Sequence, residues 1–281
     1  MQSNNPVFRR SEEFNRSNGY GNTTYQGNGV AYEGYGEPAG FGAPPVQKTG
    51  RMTIDTVVQS TAITLGVVLI AATATWLMTP DVTDSSALGP LTAAVLIGSG
   101  LAFVLSMVNS FKKVISPGLV IAFAVAEGVA LGGISKMYDA IFYDTTTPGG
   151  IVMQAVIGTF AAFAGTLAAY KFFNIKVGQK FRTFVIAAMF GMVALSLMEI
   201  VLSIFGAQLG LYEFSGLGLL FSLAGLALGV FMLILDFDFI EQGIRNGLPA
   251  HESWRASFAL LVSLVWIYTN LLRILAILQQ D

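Results

Sequence analysis

The chain has no cysteine and a single histidine, His251, among its 281 residues. A disulfide framework, a thiolate zinc site, a cysteine nucleophile and a multi-histidine metal centre are therefore all excluded. Charge is scarce as well. Only 11% of the residues are charged, against about a quarter in an ordinary soluble domain. The net charge of -2 and a pI near 5.4 supply no basic face for nucleic acid. Motifs for catalysis are missing too: there is no HExxH, no GxSxG and no phosphate-binding loop, and no histidine stands ready as base to a serine. The sequence does not read as an enzyme, and it calls for no resident cofactor.

What is present is apolar. Hydrophobic residues make up 54% of the chain, and the mean hydropathy is +0.65. Residues 1–50 stand apart. They are rich in Gly, Asn, Tyr, Pro and Ser, hold few aliphatics and show no periodicity, the composition of a disordered tail. They contain no apolar signal-peptide core, so the first hydrophobic segment is expected to act as its own insertion signal. Seven apolar runs follow: Thr56–Met78, Leu88–Phe111, Ser116–Ser135, Ile151–Tyr170, Phe181–Phe205, Gly216–Ile240 and Trp254–Leu278. Each is close to the ~20 residues that cross a hydrocarbon core of ~30 Å. In lipid the backbone must satisfy its own polar groups, so runs of this length are helices. The expected fold is an all-α integral membrane bundle over residues 51–281.

Lys and Arg placement sets the expected orientation. Thirteen of the fifteen basic residues fall in the tail and in the connections after the second, fourth and sixth spans. Lys136 stands on the other side, with Asp81, Asp84, Asp139, Asp144 and Glu213, and Arg273 lies inside the last span. The amino terminus is therefore expected in the cytoplasm and the carboxyl terminus outside, in a plasma membrane.

An ionisable group inside a span is costly and is a functional candidate for that reason. With a rise of 1.5 Å per residue, Glu127 should lie about 16 Å into the third span, near the midplane. Glu199 and Arg273 should sit at similar depth toward the outer end, as an ion pair, as an outer gate, or with Arg273 snorkelling outward. Asp236 and Asp238 are placed near the cytoplasmic end of the sixth span, about 200° apart on its circumference. Asp236 shares a stripe with Gly225, Gly229 and Met232, so it should face the bundle and Asp238 should not. Burial and a helix carboxyl end both disfavour ionised carboxylates. With no histidine in the spans, a carboxylate is the only group left to sense protons. Asp236 is the candidate proton sensor, Glu127 and Glu199 the candidate ion path, and Glu127 and Asp236 the candidate calcium contacts. Gly128 and Gly132, like Gly225 and Gly229, have the four-residue spacing of close-packed helices.

The run Ala126-Glu127-Gly128-Val129-Ala130-Leu131-Gly132-Gly133-Ile134-Ser135, the Ser116-Pro117 entry before it, the Leu235-Asp236 pair and the Tyr268–Leu275 segment resemble the Bax inhibitor-like family of transmembrane proteins. The tail and the Met52-Thr53-Ile54-Asp55 entry resemble its branch from high-GC Gram-positive bacteria. The resemblance implies six helices around a central carboxyl-terminal seventh, and a slow, pH-sensitive calcium leak across the bacterial inner membrane. It also implies a latch of two aspartates sharing a proton, on the sixth and seventh helices. Asp236 matches the first position and Ser263 stands at the second; with Asp238 as an extra carboxylate nearby, the three are the candidate pH sensor and gate. Relatives carrying serine there resemble regulators of membrane-protein quality control or stress responses that bind a membrane protease. Both implications stand as expectations, pH-gated leak and non-transporting regulator.

Overall fold

A computed structural model of the chain describes residues 50–82, 88–142, 150–173 and 175–280. The tail expected over residues 1–50 falls outside them apart from Gly50, as do Asp84 and Asp144. The described residues form seven helices and no strand: α1 Ile54–Met78, α2 Leu88–Phe111, α3 Pro117–Ile141, α4 Gly150–Phe172, α5 Gln179–Ile204, α6 Gly216–Arg245 and α7 Glu252–Leu278. All seven are long and apolar enough to cross a membrane.

Local chemistry fixes their ends. Thr53 caps α1 in a reciprocal capping box with Thr56. Pro117 opens α3, where its missing N–H costs nothing. The Ser215 hydroxyl accepts from the Gly218 N–H at the start of α6. The carboxyl end of α1 is closed from a neighbour: buried Lys136 of α3 donates to the Trp76 and Thr79 carbonyls at 2.8 and 2.6 Å and pairs with Asp81 at 3.1 Å. A cation belongs there, where the macrodipole is negative.

The carboxyl-terminal helix α7 is the centre. It buries fifteen of its own residues and packs directly on α1, α3, α4 and α6. α2 joins the bundle through α3, and α5 joins through α6. Close approach follows the glycine spacing. A Cβ on Gly128 would lie 2.6 Å from the Val68 carbonyl of α1, and one on Gly132 would lie 2.5 Å from that of Ala72. Gly225 and Gly229 face Asn270 and Ile267 of α7 instead.

At the Lys/Arg-rich end, residues 50–52 run alongside the α6–α7 connection. The Met52 N–H donates to Leu248 O (2.7 Å) and the Ala250 N–H to Gly50 O (2.6 Å). The Met52 side chain is fully buried with Leu233, Phe237 and Leu260, which ties the start of α1 to the turn between the last two helices.

Two helices run past expectation. α3 continues to Ile141, six residues beyond the apolar run that ends at Ser135. α6 continues to Arg245, five residues past the apolar run that ends at Ile240. Its last turn is polar but satisfied: Tyr170 donates to Glu241 at 2.7 Å, Arg245 pairs with Glu241, and Gln242 donates to Asp238 at 2.7 Å. Asp236 therefore lies nine residues, about 14 Å, inside the end of the helix. Neither aspartate sits in the final turn, where the macrodipole acts, so that part of the case for their protonation falls away.

Candidate functional site

The stripe of Gly225, Gly229 and Asp236 is the α6–α7 interface. With no side chain at Gly225, the Trp266 indole N–H of α7 reaches its carbonyl at 2.8 Å. Three turns further along α6, Ser263 Oγ donates to Asp236 Oδ2 at 2.6 Å. This is the side chain's one hydrogen bond among the described residues, and no cation pairs with it. Around the pair lie Val185 of α5 with Leu228, Met232 and Leu235 of α6, and Val262 and Trp266 of α7. A half-buried carboxylate thus stands in an apolar wall against a neutral hydroxyl. The positions that the family resemblance aligns as a latch are in contact, with serine as the second member.

Asp238 is a different kind of group. It is buried, accepts from Arg182 Nη2 of α5 at 2.8 Å and from Gln242 at 2.7 Å. The sequence reading puts Asp238 beside Asp236 and Ser263 as part of one sensor. The geometry separates them: a 200° turn sends Asp238 to α5, where a guanidinium holds it. Arg182, counted in the sequence only as a basic loop residue, is the partner that this reading missed. No pattern along the chain links positions 182 and 238.

Glu127 sits ten residues into α3, about 15 Å from its start. That is close to the depth of Asp236, and of Ser263 eleven residues into α7. At 100° per residue, Ala126 and Ala130 turn toward Gly98 of α2, and Gly128 and Gly132 toward α1. Between these sectors, Phe123 stacks edge-on with Phe258 of α7, and Ser135 bonds Tyr268 of α7 at 2.6 Å. Glu127 lies at the centre of the face that α3 turns to α7. It is half-buried, and its carboxylate has no hydrogen-bond or ion-pair partner among the described residues.

Glu199 and Arg273 do share a level, yet no ion pair joins them. Glu199 accepts the backbone N–H groups of Leu209 and Gly210 at 2.9 and 3.1 Å. Gly210 takes φ +79°, a conformation that favours glycine. Arg273 donates to the Leu211 carbonyl and lies 4.8 Å above the Tyr212 ring. The expected outer ion pair is replaced by two buried charges that each grip the α5–α6 loop. Both Glu199 oxygens accept from backbone donors of that loop. Arg273 is spent on the same loop, so it does not snorkel outward. Loop backbone is invisible in a residue pattern, and this is why the pairing is misread there.

Among the described residues no three acidic or imidazole side chains converge to hold a metal. Glu127 and Asp236 reach α7 from α3 and α6 and are not joined by any bond. A cation between them would need main-chain carbonyls or water to complete its shell.

A search of curated proteins finds no match. The family model described as Bax inhibitor 1 like matches residues 5–280. That match covers nearly the whole chain, in agreement with the seven spanning helices and the α6–α7 pair: the chain belongs to the Bax inhibitor 1-like family.

Proposed function

We infer that the protein is a pH-sensitive leak for cations, calcium first among them, in a bacterial plasma membrane. The observation that carries this reading is Asp236, a carboxylate nine residues inside the end of α6 whose only side-chain partner among the described residues is the neutral Ser263 hydroxyl. An acidic group inside a span costs up to about 3 kcal/mol on insertion scales, and such groups mark ion and proton pathways. Glu127, at the same level across α7, is a second carboxylate without a partner among the described residues. Two separated carboxylates with main-chain oxygens would form a weak transit site, which conduction requires. A proton and a cation compete for Asp236, so pH sets the charge that the cation meets. The clustering of Lys and Arg at one end supports an amino terminus in the cytoplasm and a carboxyl terminus outside.

The test is calcium uptake by the full chain in proteoliposomes. A slow flux that changes between about pH 6 and pH 8 is expected. Absence of flux throughout that range would overturn the reading.

A second reading is a regulator that transports nothing and binds a membrane protease. It is favoured by serine at position 263 and by α5, which among the described residues packs mainly on α6 and buries just Val185 and Glu199. Crosslinking in native membranes separates the two readings, because the regulator requires a stoichiometric protease partner and the leak does not.

A further inference from the structure

A second feature of the bundle lies away from Asp236. A cavity of about 830 Å³ opens between α1, α3, α4 and α7. α1 and α4 do not pack closely on each other, and the mouth is the gap between them. Its rim is Leu69 and Thr73 on α1 and Met153 and Phe160 on α4; Leu69, Met153 and Phe160 are 45%, 51% and 43% exposed. These positions fall within the spans, so the mouth faces hydrocarbon.

Its length is informative. Along α1 the lining runs from Leu65 to Trp76, eleven steps or about 16 Å. Half of a ~30 Å hydrocarbon core is one leaflet. The inner limit, at Leu65 and Leu261, is near the middle of its helices. The outer limit is Trp76, Asp139 and Gly150, at the ends of α1 and α3 and the start of α4. That is the headgroup level of the Lys/Arg-poor side, where Trp is favoured.

The lining chemistry excludes an ion as occupant. Most of the wall is aliphatic, and its deep hydroxyls are already committed. Thr159 donates to Ala155 O at 2.7 Å, and Ser135 and Tyr268 bond each other at 2.6 Å. Among the described lining residues the Asp139 carboxylate is the one charged group, and it sits at the headgroup end.

We propose that this cavity binds one acyl chain of a phospholipid from the leaflet on the Lys/Arg-poor side, entering between α1 and α4 with the headgroup held outside near Asp139 and Trp76. The size is that of a small-molecule site, the length is that of one leaflet, and the gap between α1 and α4 opens to lipid. Because three walls are α1, α3 and the central α7, the chain fills space that the protein leaves unpacked at its core.

The full chain is reconstituted in a mixture of phosphatidylethanolamine and phosphatidylglycerol, extracted in mild detergent and weighed by native mass spectrometry. The expected result is an adduct of one phospholipid on the wild type. Ala72→Phe, which fills the cavity from α1, should reduce the adduct about tenfold. Leu77→Phe, on the lipid-facing side at 77% exposure, should retain it. Val156→Phe fills the same space from α4 and decides the matter if Ala72→Phe does not fold. A wild type without phospholipid, an adduct of some other mass, or equal adducts on the filled and control variants would each overturn the proposal.

Discussion

Replacing Gly132 by alanine tests the packing that positions Glu127. The added Cβ would stand 2.5 Å from the Ala72 carbonyl oxygen and 2.9 Å from Thr75 Cβ. Real contacts of this kind do not fall below 3.0 Å, so α1 and α3 must separate by at least 3.0 − 2.5 = 0.5 Å. The obstacle is backbone and a β-branched side chain, and neither can swing aside. Overpacking of this sort costs about 1–3 kcal/mol. Alanine's higher helix propensity returns about 1 kcal/mol, leaving a net loss of about 0–2 kcal/mol. Gly66 of α1 is the control, since a Cβ there meets nothing within 4 Å. Gly66→Ala should therefore be neutral or stabilising by up to about 1 kcal/mol. Unfolding of both variants in detergent, followed by circular dichroism, measures the difference. Equal stability of Gly132→Ala and Gly66→Ala would refute the idea that α1 and α3 meet backbone to backbone.

Other substitutions probe the charged groups. Arg182→Met leaves Asp238 without its cation; with the Arg182 side chain 41% exposed and that of Asp238 11%, the loss should fall near 1–3 kcal/mol, between surface and buried pairs. Adding Asp238→Leu should recover most of it, and a double-mutant cycle in the same unfolding assay reads the coupling. Glu199→Leu strips two backbone donors of their acceptor, so a loss of about 1–3 kcal/mol and faster proteolysis within residues 205–215 are expected. Ser263→Ala should cost about 1–3 kcal/mol, and more at pH 8 than at pH 6, because an ionised Asp236 loses a charge-assisted bond.

The spans are legible in the sequence because lipid imposes length and hydrophobicity on each helix separately. Leu88–Phe111 has the same ends in sequence and structure. The face of Asp236 is legible for a related reason: Gly225 and Gly229 mark the stripe on which α7 packs, and Asp236 continues it. The end of α6 is not legible from hydropathy, since Glu241, Gln242 and Arg245 are polar and yet stay helical through bonds to Tyr170, Asp238 and each other. The partners of Asp238, Glu199 and Arg273 are equally hidden. They are set by helix rotation and by a loop returning over the bundle, and neither leaves a periodic trace. Ser263 gains its meaning only from the resemblance and from the 2.6 Å contact with Asp236.

The central claim is that Asp236 is the group through which protons control cation passage. It is tested most directly by calcium uptake into proteoliposomes across about pH 6 to pH 8, with Asp236→Asn beside the wild type. Asparagine is a neutral isostere of the protonated acid, so the variant should give a flat profile at the level that the wild type reaches at its acid end. A variant that titrates like the wild type, or that stays at the alkaline level, would contradict the account.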